Sequence, residues 1–286
     1  MELKLYHTKI SFNKLMIIDF HTHVFPDKIA KSTIDALASK SANSPSTDGT
    51  VEGLLQAMER SNTDICVTLP VLTKPTQFES VAKFAIAINE RFKNADKKLI
   101  SFAGIHPQCD DIDGKMAYLK SQGIKGVKIH PDYQGTFIDD DGYFEILSCA
   151  KKHDMIVVTH SGIDDGYAGQ PVRCPPERVL RVIEKVGHEK FVLAHYGAHK
   201  QWDEVLEILA GKNVYFDTAF TLHEIEQPLF KKILEKHGAD KILFATDCPW
   251  QDIKNNVSIL KSYQLDKEIE DKILYKNALK LLGLDK

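Results

Sequence analysis

The chain has 286 residues, 43% hydrophobic and 27% charged, a composition that excludes wholesale disorder and fits either one barrel of roughly 250 residues or two ordinary domains. Its 37 basic and 40 acidic residues leave a net charge of -3, so no global attraction to nucleic acid or to an anionic membrane is expected. No run approaches 18 consecutive apolar residues, the first twenty positions lack the order of a signal peptide, and the five cysteines are scattered without a C-x-x-C pair, so a cytoplasmic protein with reduced, packing cysteines is expected.

Residues 1–15 read as an N-terminal extension, with Met16 an alternative start. Beyond them, short apolar and β-branched runs predict eight strands: 16–20, 64–69, 99–105, 126–129, 155–159, 190–194, 213–217 and 241–246. Helical spacing of apolar residues follows at 51–61, 78–92, 143–153, 176–186, 202–211 and 228–238. The strand starts advance by about 32 residues per step, the size of one βα unit. Runs that are apolar on both faces suit parallel strands covered by helices, and eight units predict a closed (β/α)8 TIM barrel, an α/β fold in one domain spanning 1–286. An open doubly wound sheet is the alternative; the absence of a glycine-rich phosphate loop after any strand weighs against it.

Two polar stretches interrupt the alternation. Residues 39–49 are expected to form a mobile loop between the first strand and its helix, and 161–176 an irregular loop after the fifth strand. Loops that follow barrel strands line the C-terminal face, so both are expected to border the pocket mouth.

Of twelve histidines, six fall at or just after predicted strand ends: His21, His23, His106, His130, His160 and His195. Side chains two apart share a face of a strand, which would turn Asp19, His21 and His23 together into the barrel mouth. Asp247 ends the last strand, beside the first once the barrel closes, and His160 would face them from the opposite wall. Imidazoles with one carboxylate suit zinc or another divalent transition metal, with one position left for water. His7, His153, His188, His223 and His237 read as solvated helix or loop residues, His106 as structural or functional alike, and Cys248 as packed yet near enough to Asp247 to line the pocket.

With these residues in place the chain resembles the amidohydrolase superfamily, in particular the amidohydrolase-related branch that contains the aminocarboxymuconate-semialdehyde decarboxylase type. The resemblance runs through DFHTH (19–23), GVKIHP (126–131), THSG (159–162), AHYG (194–197), ATDCPW (245–250) and a terminal ILYKNALKLLGL (273–284) similar to that family's closing helix. It implies that His21, His23, His160 and Asp247 bind a divalent metal, usually zinc, and that Asp19 supports them from behind. His195 would be a further ligand or a catalytic acid-base. Lys128 and His130 lie on the strand where many family hydrolases carry a glutamate or a carboxylated lysine bridging two metals; one ion per chain is expected and a second stays open.

A bound divalent ion acidifies water to a pKa of roughly 7 and polarises a carbonyl, so hydrolysis of a C–O or C–N bond in a small carbonyl compound is expected. Asp247 would orient the water and take its proton, His195 would stabilise charge or donate a proton, and Lys128, His130, Arg173 and Trp250 are candidates for holding the substrate. Decarboxylation or hydration on the same scaffold is the alternative, and a TatD-like deoxyribonuclease a further one, for which GIHP (104–107) speaks and the lack of a basic stripe speaks against. The expected partner is a small-molecule substrate, not nucleic acid or membrane; a homo-oligomer is compatible with the sequence.

Overall fold

The computed structural model describes residues 16–41 and 43–285, so the predicted extension at 1–15 and His7 lie outside the described residues. Strands β1 (Ile18–Thr22), β2 (Ile65–Thr68) and β3 (Lys98–Ser101) form one parallel sheet. The second, also parallel, runs β4 (Ala103–Gly104), β5 (Gly126–Ile129), β6 (Ile156–Thr159), β7 (Phe191–Leu193), β8 (Tyr215–Asp217) and β9 (Ile242–Leu243) in sequence order. The predicted strand at 99–105 is thus β3 and β4, parted at the fully buried Phe102, whose N–H still donates to Thr68 O at 2.9 Å. No ladder joins β9 to β1 among the described residues; isolated bonds draw that seam together, from Phe20 N–H to Phe244 O and from Asp247 N–H to His21 O, both 2.9 Å.

Helices alternate with the strands: α1 (Asp27–Ser41), α2 (Val51–Ser61), α3 (Phe78–Phe92), α4 (Ile112–Ser121), the short α5 (Pro131–Gln134), α6 (Asp141–Lys152) and α7 (Pro176–Val186). Then come α8 (Trp202–Glu204), α9 (Gln227–His237), α10 (Ile253–Ser262), α11 (Lys267–Asp271) and α12 (Asn277–Leu282). The TIM-barrel expectation holds, with parallel strands in chain order around an apolar interior. Helix α1 corrects one boundary, because residues 39–41 belong to its last turn and only the remainder of the polar stretch is irregular. Its apolar stripe is sparse, with Ala30 and Ile34 alone buried, which hides it from a search for helical periodicity.

Two apolar layers follow from the period of two along each strand. Ile18, Phe20, Val67, Val158, Val192 and Leu243 pack inside the barrel, where Ala278 and Leu281 of α12 join them. Cys66, Val127, Val157, Leu193 and Phe216 face the surrounding helices. The predicted closing helix is therefore the plug of the barrel floor, and Asn277 pins it by donating to Ile242 O at 2.8 Å.

The five cysteines are free, and burial pushes each thiol upward, in keeping with packing. Two of the histidines read as solvated are not. His188 is buried with Nε2 donating to Met155 O at 2.9 Å, and His237 stacks on Phe216 at 3.9 Å. Each pins a loop that the sequence leaves unplaced.

Candidate metal centre

A cavity of about 560 Å3 opens at the C-terminal ends of the strands. Its wall combines an apolar belt, including Phe25, Val81, Phe84, Phe220 and Trp250, with His21, His23, Lys128, His130, His160, His195 and Asp247. Asn43 and Ser41 reach it from the first polar stretch, and Ile163, Asp164 and Asp165 from the second, so both border the mouth.

The face that strand β1 presents departs from simple alternation. Its register with β2 shifts between Asp19 and Thr22, so Asp19 stands opposite Cys66 on the helix-facing side while His21 turns inward. Asp19 accordingly does not point into the mouth with the histidines. Its carboxyl accepts from Thr246 Oγ1 at 2.5 Å and from the N–H groups of Thr246 and His21 at 3.0 and 3.2 Å, and burial raises it to about 7. It fastens the first strand to the segment that carries Asp247.

At the front of the cavity His21 Nε2 and His23 Nε2 stand 3.2 Å apart, with Asp247 Oδ1 at 3.4 Å from the first and 2.9 Å from the second. The opposite nitrogens are already engaged. His23 Nδ1 donates to Leu69 O at 2.9 Å, and His21 Nδ1 to Asp217 Oδ2 at 2.9 Å. A carbonyl only accepts, and a neutral imidazole carries one proton, so both Nε2 atoms present lone pairs toward the same carboxylate oxygen. Such an array of acceptors within 3.4 Å calls for a cation between them, and it fits a divalent ion. Burial pushes His21 well below its usual range, and the Lys128 ammonium, with Nζ 3.1 Å from His21 Nε2, pushes the same way. Lys128 itself falls to about 8 through burial.

His195 reaches the cavity by a turn. Alternation along β7 would set it toward the helices with Leu193, but φ is +61° at His195, +58° at Tyr196 and +98° at Gly197. At Gly197 a Cβ would sit 2.8 Å from Val205 Cγ1, so the turn needs glycine there. Asp217 holds the turn by accepting the His195 N–H at 3.0 Å. This buried aspartate, which serves both His21 and His195, was missed by the sequence reading. It ends the run NVYFD (213–217) as Asp247 follows the next strand, and that strand-end position was the available signal.

His195 Nδ1 donates to Ala219 O at 2.9 Å, and its Nε2 meets His160 Nδ1 at 2.9 Å. His160 stacks on His130 at 4.2 Å and 6°. A second set of candidate ligands, His130, His160 and Asp164, lies on this wall. Its chemistry differs, because His130 Nδ1 accepts from Tyr133 N–H at 3.4 Å, leaving the proton on Nε2, which faces Asp164 Oδ2 at 3.4 Å. That set presents an N–H where the first presents lone pairs. Burial lifts the Asp164 carboxyl to about 6.

Of the residues expected to hold substrate, Lys128, His130 and Trp250 line the cavity. Arg173 does not, and Cys248 is packed behind the wall. The Arg173 guanidinium turns back toward the buried carboxylate of Asp132, 3.6 Å from Oδ1. His106 is buried, with Nδ1 accepting from Gln108 N–H at 3.1 Å, a structural role.

An amidohydrolase family model matches residues 18–284. The chain belongs to the amidohydrolase family. No curated protein matches it. Among solved structures, this amidohydrolase is similar to a TIM-barrel protein of Bordetella bronchiseptica, with 15% identity, 95% of this chain and 99% of that one covered and a TM-score of 0.75. It is also similar to 5-carboxyvanillate decarboxylase from Sphingomonas paucimobilis, with 13% identity, 94% and 99% coverage and a TM-score of 0.67. A dihydroxybenzoic acid decarboxylase from Polaromonas, solved with bound manganese and 2-nitroresorcinol, matches at 15% identity, 96% and 98% coverage and a TM-score of 0.69. Among the described residues no helix is long and apolar enough to cross a membrane.

Proposed function

We propose that the protein is a metal-dependent hydrolase that holds one divalent ion, zinc by its nitrogen and oxygen donors, and cleaves a C–O or C–N bond in a small carbonyl compound carrying an apolar group. His21, His23, His160 and Asp247 are the proposed ligands. When bound, the ion would supply Lewis acidity toward the carbonyl and make water a stronger acid. Asp247 is the observation that carries the reading. Its Oδ1 stands 3.4 Å from His21 Nε2 and 2.9 Å from His23 Nε2, placed to orient a water and take its proton. His195, its Nδ1–H committed to Ala219 O, keeps a lone pair on Nε2 at the cavity wall, which can take up the proton that Asp247 receives from the water and deliver it to the leaving group. Lys128, the single lysine or arginine lining the cavity among the described residues, lies where negative charge would build up on the substrate. The aromatic belt of Phe25, Phe84, Phe220 and Trp250 would seat a flat apolar group and exclude water.

Decarboxylation is the second reading, favoured by that belt and by the two decarboxylases among the similar structures. The decisive experiment supplies the zinc-loaded enzyme with lactones, amides and hydroxylated aromatic acids in 18O-labelled water. Chelator-sensitive turnover with one 18O entering the product acid is expected. Release of CO2 with no 18O uptake would replace hydrolysis by decarboxylation.

A further inference from the structure

His21, His23 and His195 each have an acceptor behind the nitrogen that points away from the cavity: Asp217 Oδ2, Leu69 O and Ala219 O. His160 has none within hydrogen-bond distance. Its Nε2 is buried without a partner, and the facing acceptor is Asp132 Oδ2 at 3.9 Å, equally buried and without a partner. Behind Asp132 stands Arg173, whose Nη1 is also buried and bare, 3.6 Å from Asp132 Oδ1. Three of the seven buried side-chain atoms without partners among the described residues thus lie in one row, ending on a residue read above as a ligand. Buried polar atoms are normally paired, so a row of bare ones points to a state in which they pair.

The protons tell which state. His195 gives its Nδ1–H to Ala219 O, so its Nε2 must accept from His160 Nδ1, and the single proton of neutral His160 sits on Nδ1. For His160 to bind an ion from that side it must offer the Nδ1 lone pair. The proton then passes from Nδ1 to Nε2 by exchange through water, with no change in net charge, and the acceptor facing Nε2 is Asp132. We propose that Asp132, steadied by Arg173, is the positioning residue that accepts the His160 Nε2–H and thereby selects the tautomer in which Nδ1 binds the ion. This rests on the reading of His160 as a ligand. It also gives Arg173 a task other than substrate binding. Arg173 N–H donates to Asp132 Oδ1 at 3.4 Å, so the loop at 161–176 and the helix turn after β5 are tied at this point. Closure by about 1 Å would complete a carboxylate–histidine–metal arrangement of the kind that orients metal-bound imidazoles.

The test uses the full chain stripped by chelation and titrated with Zn2+ alone against a chromogenic competitor, with 15N-histidine NMR of the zinc-loaded protein. Asp132→Ala should weaken zinc binding about 10- to 100-fold and abolish the protonated Nε2 signal of His160. Asp132→Asn, whose amide oxygen still accepts, should retain that signal and lose about 10-fold or less. Should the alanine variant fail to fold, the tautomer of the zinc-loaded wild type decides: a proton on His160 Nε2 supports the proposal, and a proton still on Nδ1 overturns it. Unchanged zinc affinity in Asp132→Ala, with His160→Ala weakened, overturns it alone. Unchanged affinity in His160→Ala overturns the ligand reading as well.

Discussion

Two groups of imidazole and carboxylate share one cavity, and they differ in what stands behind each ring. In the group of His21, His23 and Asp247, the Nδ1 atoms are spent on Asp217 and Leu69 O, and lone pairs converge. In the group of His130, His160 and Asp164, a backbone N–H from Tyr133 occupies His130 Nδ1, so a proton faces Asp164. Each group is two histidines and one aspartate whose candidate ligand atoms lie within 4.8 Å of one another. The difference teaches that the hidden partner of an imidazole decides whether it is a ligand or a hydrogen-bond donor.

The largest expected effect breaks or keeps this contrast outright. His21→Ala should lose the ion and chelator-sensitive turnover, whereas His130→Ala should keep about one ion per chain, both read by elemental analysis. Loss of the ion in the second variant would make the two groups equivalent. Next, His195→Ala should retain its metal and lose roughly 10²- to 10³-fold in turnover, and Asp247→Asn at least about 10²-fold in whatever fraction stays loaded. Metal content measured beside rate separates these; an ion lost from His195→Ala would add that residue to the ligands.

Asp217 sharpens the comparison at smaller scale. Asp217→Ala frees His21 Nδ1 and the His195 N–H together, and zinc affinity should fall about 10- to 100-fold by competitive titration. An unchanged affinity would mean that the partner behind His21 does not set its ligand behaviour.

The mildest effect lies away from the site, at an imidazole with no ion to bind. Burial lowers His188 from 6.5 to about 4, against the pull of its bond to Met155 O. Between those values the unfolded chain takes up a proton that the folded chain refuses. Stability from this residue is therefore full above about pH 6.5, falls as pH drops through the window and levels off below about pH 4. The shift corresponds to at most about 3 kcal/mol. Urea unfolding across that range should show a shallower pH dependence in His188→Gln than in the wild type; parallel curves would refute the assignment.

Much of this amidohydrolase was legible in the chain itself. Strand runs such as GVKI and helices such as 51–61, 78–92 and 176–186 appear where apolar period predicts them, because burial on a fixed face is a local property of sequence. His21, His23, Asp247 and His160 were legible as strand-end residues for the same reason. Three things were decided only by tertiary structure. The register shift in β1 set Asp19 and His21 on opposite faces, since a bulge depends on the partner strand. The positive φ at His195 turned that ring into the cavity, and a turn held by Asp217 from the next strand leaves no periodic trace. Arg173 meets Asp132 across 41 positions, so whether it faces the cavity or this carboxylate depends on distances that only the folded chain defines.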